Sequence, residues 1–194
     1  MSDFTLFLGK FLRQGTAIAS LAPSSRWLSR ATVAEIDWSR PRVVVELGAG
    51  TGPITRVLAE RATPGSRVLV VERDPDFAAL LRDRFGDAPN LEVVEGDARD
   101  LAGMLRDRGL DRVDHVVSGL PTPSLPAGVR DEILRVVGGV LTPEGGFHQI
   151  TEMPWVYLRF YRRLFDRVRF AFEPRNLPPA GVYHCQGVKP APKP

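Results

Sequence analysis

Glu46 stands between the apolar run Val43–Val45 and a glycine-rich turn, Gly48, Ala49, Gly50, Thr51 and Gly52. Glycines spaced in this way let a backbone take positive φ and come close to a ligand. Pro53 follows and suits the first position of a helix. Glu72 closes a second apolar run, Arg67–Val71. It falls about 20–26 residues past the turn, where an α/β fold holds a ribose by its hydroxyls. A third run, Leu91–Glu95, ends in Gly96, Asp97 and Ala98. The turn does not fit G-x-G-x-x-G, so the usual cradle for a pyrophosphate is missing. A nucleoside ligand other than a dinucleotide is the chemistry these residues suggest.

Strands must carry the acids to one edge, and the patterning supplies them. Apolar runs predict strands over 42–47, 67–72, 91–95, 113–118, 146–151, 167–173 and 182–188. Helical stretches are expected at about 53–62, 75–85, 99–108, 127–140 and 154–165. Before the first strand, Phe4, Phe7, Leu8 and Phe11 fall at helical spacing within 3–21, with Lys10 and Arg13 at the edge of the stripe. Ser24 or Ser25 can cap a second helix, about 25–37. The alternation predicts an α/β sheet, mostly parallel, closed by an antiparallel hairpin. The expected division is 1–40 as N-terminal helices, 41–188 as the nucleoside-binding domain and 189–194 as a disordered tail.

Composition narrows the class. Cys185 is alone, so an internal disulfide and a cysteine-based metal cluster are excluded. The three histidines are scattered, and no metal site is expected. No apolar run reaches the roughly 18–20 residues that span a bilayer. Asp3, Lys10 and Arg13 spoil a signal-peptide pattern, which points to the cytoplasm. Between Trp155 and Arg175 six arginines (159, 162, 163, 167, 169, 175) face only Asp166 and Glu173. Such a stretch suits an anionic surface, membrane or nucleic acid.

Three motifs in this order resemble the class I S-adenosylmethionine-dependent methyltransferases. The resemblance implies a Rossmann-like sheet of order 3-2-1-4-5-7-6 and S-adenosyl-L-methionine as cofactor, with S-adenosyl-L-homocysteine as product. It implies that Glu46 and the turn residues Gly48, Ala49, Gly50 and Gly52 face the methionine end. Glu72, with Arg73 beside it, would take the ribose hydroxyls. Asp97 would accept from the adenine amino group, with the Ala98 amide near the ring, and Ser118 would complete the cofactor set. Acids suit a cationic ligand, and a carboxylate suits a diol.

The acceptor is read from the loop after the fourth strand. Many amine methyltransferases carry (Asn/Asp)-Pro-Pro-Tyr there. Here the loop is Ser118, Gly119, Leu120 and Pro121, without the amide and without the ring. A stacked nucleobase is therefore disfavoured, while carbonyls near Leu120 and Pro121 can orient a non-planar amine. LAPSSR (21–26), SGLP (118–121) and NLPPA-x-VY (176–183) resemble the bacterial phospholipid N-methyltransferases. That resemblance implies methylation of phosphatidylethanolamine to phosphatidylcholine by an enzyme peripheral on the inner face of the cell membrane. It brings a phospholipid substrate and an anionic membrane as partners, with no nucleic acid expected and no protein partner identifiable.

Expected headgroup contacts are Ser24, Ser25 and Arg26, the loop Gly119–Pro121, Arg175, Asn176 and the face of Tyr183. Expected membrane contacts are Phe4, Phe7, Leu8, Lys10, Phe11 and Arg13, with the basic aromatic stretch of Trp155, Tyr157, Phe160 and Tyr161 as a second contact. No residue identifies itself as the base that deprotonates the amine: His115, Tyr183, Glu46 and water stay open. The alternative is a ribosomal RNA adenine N6-dimethyltransferase-like enzyme or another amine N-methyltransferase.

Overall fold

The computed structural model describes residues 24–153 and 155–189. The helix expected over 3–21, with its six candidate membrane residues, lies outside them. The first described element is helix α1, Arg26–Thr32. Ser25 caps it, its hydroxyl accepting from the Leu28 amide at 3.2 Å. The helix stops five residues short of the expected end, and residues 33–35 turn the chain.

From there the chain alternates. Strand β1 (Val43–Leu47) leads to α2 (Pro53–Arg61), and β2 (Arg67–Glu72) to α3 (Pro75–Phe85). Strand β3 (Leu91–Glu95) leads through a 3-10 turn, Ala98–Asp100, into α4 (Leu101–Arg106). Strand β4 (Val113–Ser118) is followed by a second 3-10 turn, Thr122–Ser124, and α5 (Ala127–Val140). The last elements are β5 (Leu141–Thr151), α6 (Leu158–Leu164), β6 (Phe165–Glu173) and β7 (Ala180–Val188). Asp74 caps α3 by accepting from the Asp76 and Phe77 amides, as an Asp-Pro pair at a helix start allows.

Seven strands form one sheet in the order β3-β2-β1-β4-β5-β7-β6. Strands β1 to β5 run parallel, and β7 joins β5 and β6 antiparallel. Helices cover both faces, which is why β1, β2 and β4 read as continuous apolar runs. One face packs Leu101, Leu105, Ile133, Val137 and Tyr161 against Val45, Leu69, Val116 and Phe147. The other packs Val33, Ile36, Ile54, Leu58 and Leu81 against Val44, Val68, Val70 and Val117.

Three boundaries differ from the sequence expectation for physical reasons. Strand β5 begins at Leu141 because Leu141 pairs with Val113, and the register then shifts before Gly146 meets His115. Helix α6 begins at Leu158, since Trp155 adopts φ 64° and breaks the helical path before it. Lys189 is still tied to the fold, its amide donating to the Leu164 carbonyl at 2.8 Å. The rest of the expected tail, 190–194, lies outside the described residues.

Candidate active site

Strand order reverses between β1 and β4, and in such sheets the crevice lies beyond the carboxyl ends of the strands. Two loops meet there. The glycine turn leaves β1 and the 118–125 loop leaves β4. The Gly119 amide donates to the Leu47 carbonyl at 2.9 Å. Their approach leaves no room for a Cβ on Gly119. A Cβ on Gly119 would stand 2.5 Å from the Gly48 carbonyl oxygen, and one on Gly48 would meet the Leu120 side chain at 2.4 Å.

Glu72, at the end of β2, is held from two sides. Oε2 accepts from the Gly50 amide at 2.8 Å and Oε1 from the Asp74 amide at 2.9 Å. Each oxygen keeps a lone pair for a further donor. Glu46 is buried on β1, and Oε2 accepts from the Thr55 hydroxyl of α2 at 2.7 Å. Burial is the main cause that pushes its carboxyl up to about 8; the Thr55 hydroxyl opposes this and the Glu72 charge adds to it. A cation brought beside Glu46 would restore its negative charge.

Asp97 caps the 3-10 turn through the Arg99 amide and is gripped by the Arg99 guanidinium at 2.9 and 3.0 Å. That contact holds its carboxyl below the usual range. Arg73 stands 4.0 Å from Asp97 and is otherwise exposed. Ala98 is buried behind the cap, and Ser118 is buried with its hydroxyl 3.4 Å from that of Thr122.

The expected headgroup residues divide. Asn176 accepts from the Ser25 amide at 2.8 Å and donates to Pro178, so it ties the β6–β7 loop to the start of α1. Arg175 is bound to Glu173 at 2.7 and 2.8 Å. The guanidinium carbons of Arg175 and Arg26 both lie 4.2 Å from the centre of the Trp27 ring. Ser24 is half-buried. Tyr183 is a core residue. Its ring is buried against Tyr161 and Phe170, each 4.9 Å away, and its hydroxyl accepts from the Tyr157 amide. Tyr161, expected to face a membrane, is buried too.

His115 lies three residues before the carboxyl end of β4, about 10 Å from it. It borders a cavity at the opposite end of the sheet with Arg40, Arg42 and Asp114. Its ring continues a buried chain: His115 Nδ1 to His148 Nε2 at 3.0 Å, then His148 Nδ1 to His184 Nδ1 at 2.8 Å. Glu35, paired with Arg169, closes the chain. Glu35, His148 and His184 bring possible ligand atoms within 4.8 Å of one another. Sequence separation hid this grouping. The two facing Nδ1 atoms sit at hydrogen-bond distance, and Arg169 already neutralises the carboxylate, so the cluster reads as a hydrogen-bonded ladder.

Two further groups at the crevice were missed. Thr55 gave no signal beyond a polar residue on an apolar helix face. Gln149 is fully buried on β5, and Nε2 donates to the carbonyls of Leu120 at 2.7 Å, Ile150 at 2.9 Å and Ser118 at 3.3 Å. A glutamine inside an apolar strand, at the register of Ser118, was the available clue.

A family model for a methyltransferase domain matches residues 44–145. The chain belongs to the class I S-adenosylmethionine-dependent methyltransferases, and it is an enzyme that uses that cofactor. The residues fit the group: a turn of three glycines at positive φ, a doubly anchored carboxylate, and a buried acid able to face a cation.

Within the family the chain is 66% identical to an ornithine lipid N-methyltransferase of Singulisphaera acidiphila, over 97% of this chain and 98% of that one. A probable ribosomal RNA small subunit methyltransferase A of Methanosarcina mazei is 37% identical, but over 53% of this chain and 34% of that protein. Two solved structures share the fold. A precorrin 8W decarboxylase of Methanobacterium thermoautotrophicum has TM-score 0.62 at 21% identity, covering 84% of this chain and 91% of that one. A 16S rRNA N2 G1207 methyltransferase of Thermus thermophilus has TM-score 0.64 at 21% identity, covering 88% of this chain and 44% of that one.

The near full-length relative overturns the narrower expectation of a phospholipid N-methyltransferase making phosphatidylcholine. The physical reason lies in the motifs that suggested it. Ser25 is spent on a helix cap, Asn176 on a loop tie and Tyr183 on the core, so these residues report the shared scaffold rather than the headgroup.

Proposed function

We propose that this chain transfers methyl groups to the free amine of an ornithine-containing lipid headgroup at a membrane surface. The observation that carries this reading is the 66% identity along almost the whole of both chains. The crevice agrees with it. The loop 118–121 has no aromatic ring to stack a base, which favours a flexible amine over a nucleobase.

Bound S-adenosylmethionine supplies a methyl group already activated on a sulfonium. In this reading Glu72 takes the ribose hydroxyls on its free lone pairs, and Asp97 with Ala98 borders the adenine. Glu46 ionises opposite the cationic end. The acceptor nitrogen must first lose a proton, to water or to a basic group at the crevice. Its lone pair would then form the new N–C bond as the C–S bond breaks, the C–S bonding pair going to the sulfur of the leaving S-adenosylhomocysteine. The protein mainly aligns the reactants, which can be worth about 7–11 kcal/mol.

An ornithine headgroup also carries a carboxylate, and Arg26, exposed and stacked on Trp27, is the cation we assign to it. Residues 41–188 form the catalytic unit in this reading. Among the described residues no helix is long and apolar enough to cross a membrane. Among the described residues, five of the six most exposed large apolar side chains, Met153, Trp155, Val156, Phe172 and Leu177, gather at the carboxyl edge. Exposed apolar side chains beside arginines suit a lipid interface.

The test is transfer of labelled methyl to vesicles containing an ornithine lipid, with phosphatidylethanolamine vesicles and ribosomal RNA in parallel. Label in the ornithine lipid is the expected result. Label confined to either of the other two would end the proposal.

A further inference from the structure

The side-chain amide of Gln149 is used at one end only. Its two N–H hydrogens serve three carbonyl oxygens, those of Ser118, Leu120 and Ile150. This fixes which way the amide points, since a flipped amide would set oxygen against oxygen. Oε1 is left buried without a hydrogen-bond partner. Buried acceptors are seldom left so in folded chains, and each one asks for an explanation.

The place of the amide supplies one. Gln149 pairs in register with Ser118 on β4 and with Tyr183 on β7, two residues from the carboxyl end of β5. It therefore sits beside the loop that replaces (Asn/Asp)-Pro-Pro-Tyr. There Ser118 holds the position of the missing amide, and its hydroxyl reaches only Thr122, at 3.4 Å. Donation from Nε2 to three carbonyls polarises the amide and strengthens Oε1 as an acceptor. A second contact of the same loop, Ser124 Oγ to Tyr157 OH, is long at 3.5 Å. Gln149 is fully buried, so a ligand can reach Oε1 only if this loop moves.

We infer that Gln149 binds the acceptor amine, with Oε1 accepting one of its N–H hydrogens, and so supplies from β5 the amide that the β4 loop lacks. The inference rests on the reading of this chain as an amine N-methyltransferase. It adds how the nitrogen is held before attack. The ligand it takes is a non-planar amine bearing at least one N–H.

Short-chain N-acyl ornithine and its trimethylated analogue separate this role from a purely structural one, because the analogue has no N–H to give. Binding of each to the protein loaded with S-adenosylhomocysteine is measured by calorimetry for wild type, Gln149→Met and Gln149→Leu. The expected result is that Gln149→Met weakens the primary amine about tenfold or more. Binding of the trimethylated analogue and of S-adenosylhomocysteine should stay within about threefold of wild type. Gln149→Leu, a second apolar replacement of similar size, should give the same split between the two ligands. Equal weakening of both ligands would make Gln149 a loop anchor only and overturn the inference, as would no weakening of either. If wild type binds phosphoethanolamine lipids and not ornithine, the substrate reading fails. The same pair of ligands built on that amine then decides Gln149.

Discussion

Glu46 and Glu72 are both carboxylates at the ends of neighbouring strands, yet their surroundings give them different tasks. Glu72 is fixed by two backbone amides and keeps its geometry whatever binds. Glu46 is buried with a single hydroxyl donor, and its carboxyl is pushed up to about 8. Its contribution to folding is whole below about 4.5 and is lost as pH rises to about 8, because the unfolded chain ionises first. Glu46→Gln should therefore melt higher than wild type at pH 8.5 and match it near pH 4.5, a difference that thermal melts at the two pH values resolve. Binding of the cationic cofactor should release a proton near pH 7, giving calorimetric heats that scale with the ionisation heat of the buffer. Glu46→Gln should abolish that dependence. Arg26→Ala should raise the KM for the ornithine lipid about three- to tenfold with kcat little changed, as loss of a uniform binding contact does. An amine lipid without a carboxylate should show no such change.

Elements bring together what the chain separates. Strands β4, β5 and β7 align His115, His148 and His184 into one ladder on the face covered by α1 and the turn after it. Burial lowers all three, His115 and His184 to about 4. A histidine depressed in this way supports the fold above its free value near 6.5, and that support is lost as pH falls toward 4. Melting temperature should drop steeply between pH 6.5 and 4.5, and His115→Leu should shrink the slope. A flat profile in wild type would show that the ladder opens without penalty. At the crevice, β1 and β4 hold their two loops in backbone contact. Gly119→Ala would force its Cβ to 2.5 Å from the Gly48 carbonyl. It should weaken cofactor binding at least tenfold while secondary structure, read by circular dichroism, persists.

At the scale of the whole molecule an exposed apolar cluster at the carboxyl edge is followed along the chain by a basic helix and strand. The exposed Trp155 packs on Phe170 and Phe172, Arg159 stands on the first turn of α6, and Arg162 lies at the far end of that helix, where its carbonyl accepts from Lys189. Flotation with anionic vesicles should fall several-fold in the double variant Trp155→Ser, Phe172→Ser. It should weaken as salt rises from 50 to about 300 mM, since each interfacial cation adds about 1 kcal/mol that ions screen. Unchanged flotation in that variant would move the contact to the segment before residue 24.

Local pattern was enough to read the strands and their mostly parallel alternation, and the resemblance to class I methyltransferases supplied the sheet order that the structure shows, with Glu46, Glu72 and Asp97 proposed as its cofactor acids. Boundaries slipped where a long-range pairing or a single backbone angle ruled, as at Leu141 and Trp155. The acceptor side was not legible, since Gln149 gains its role only from carbonyls about 30 residues away. Nor could sequence tell that Ser25 and Asn176 bond to each other across 151 residues, and so belong to the scaffold. Residue type sets what a group can do. Only packing of distant strands decides which groups are already used up and which, like Oε1 of Gln149, are left to bind something else.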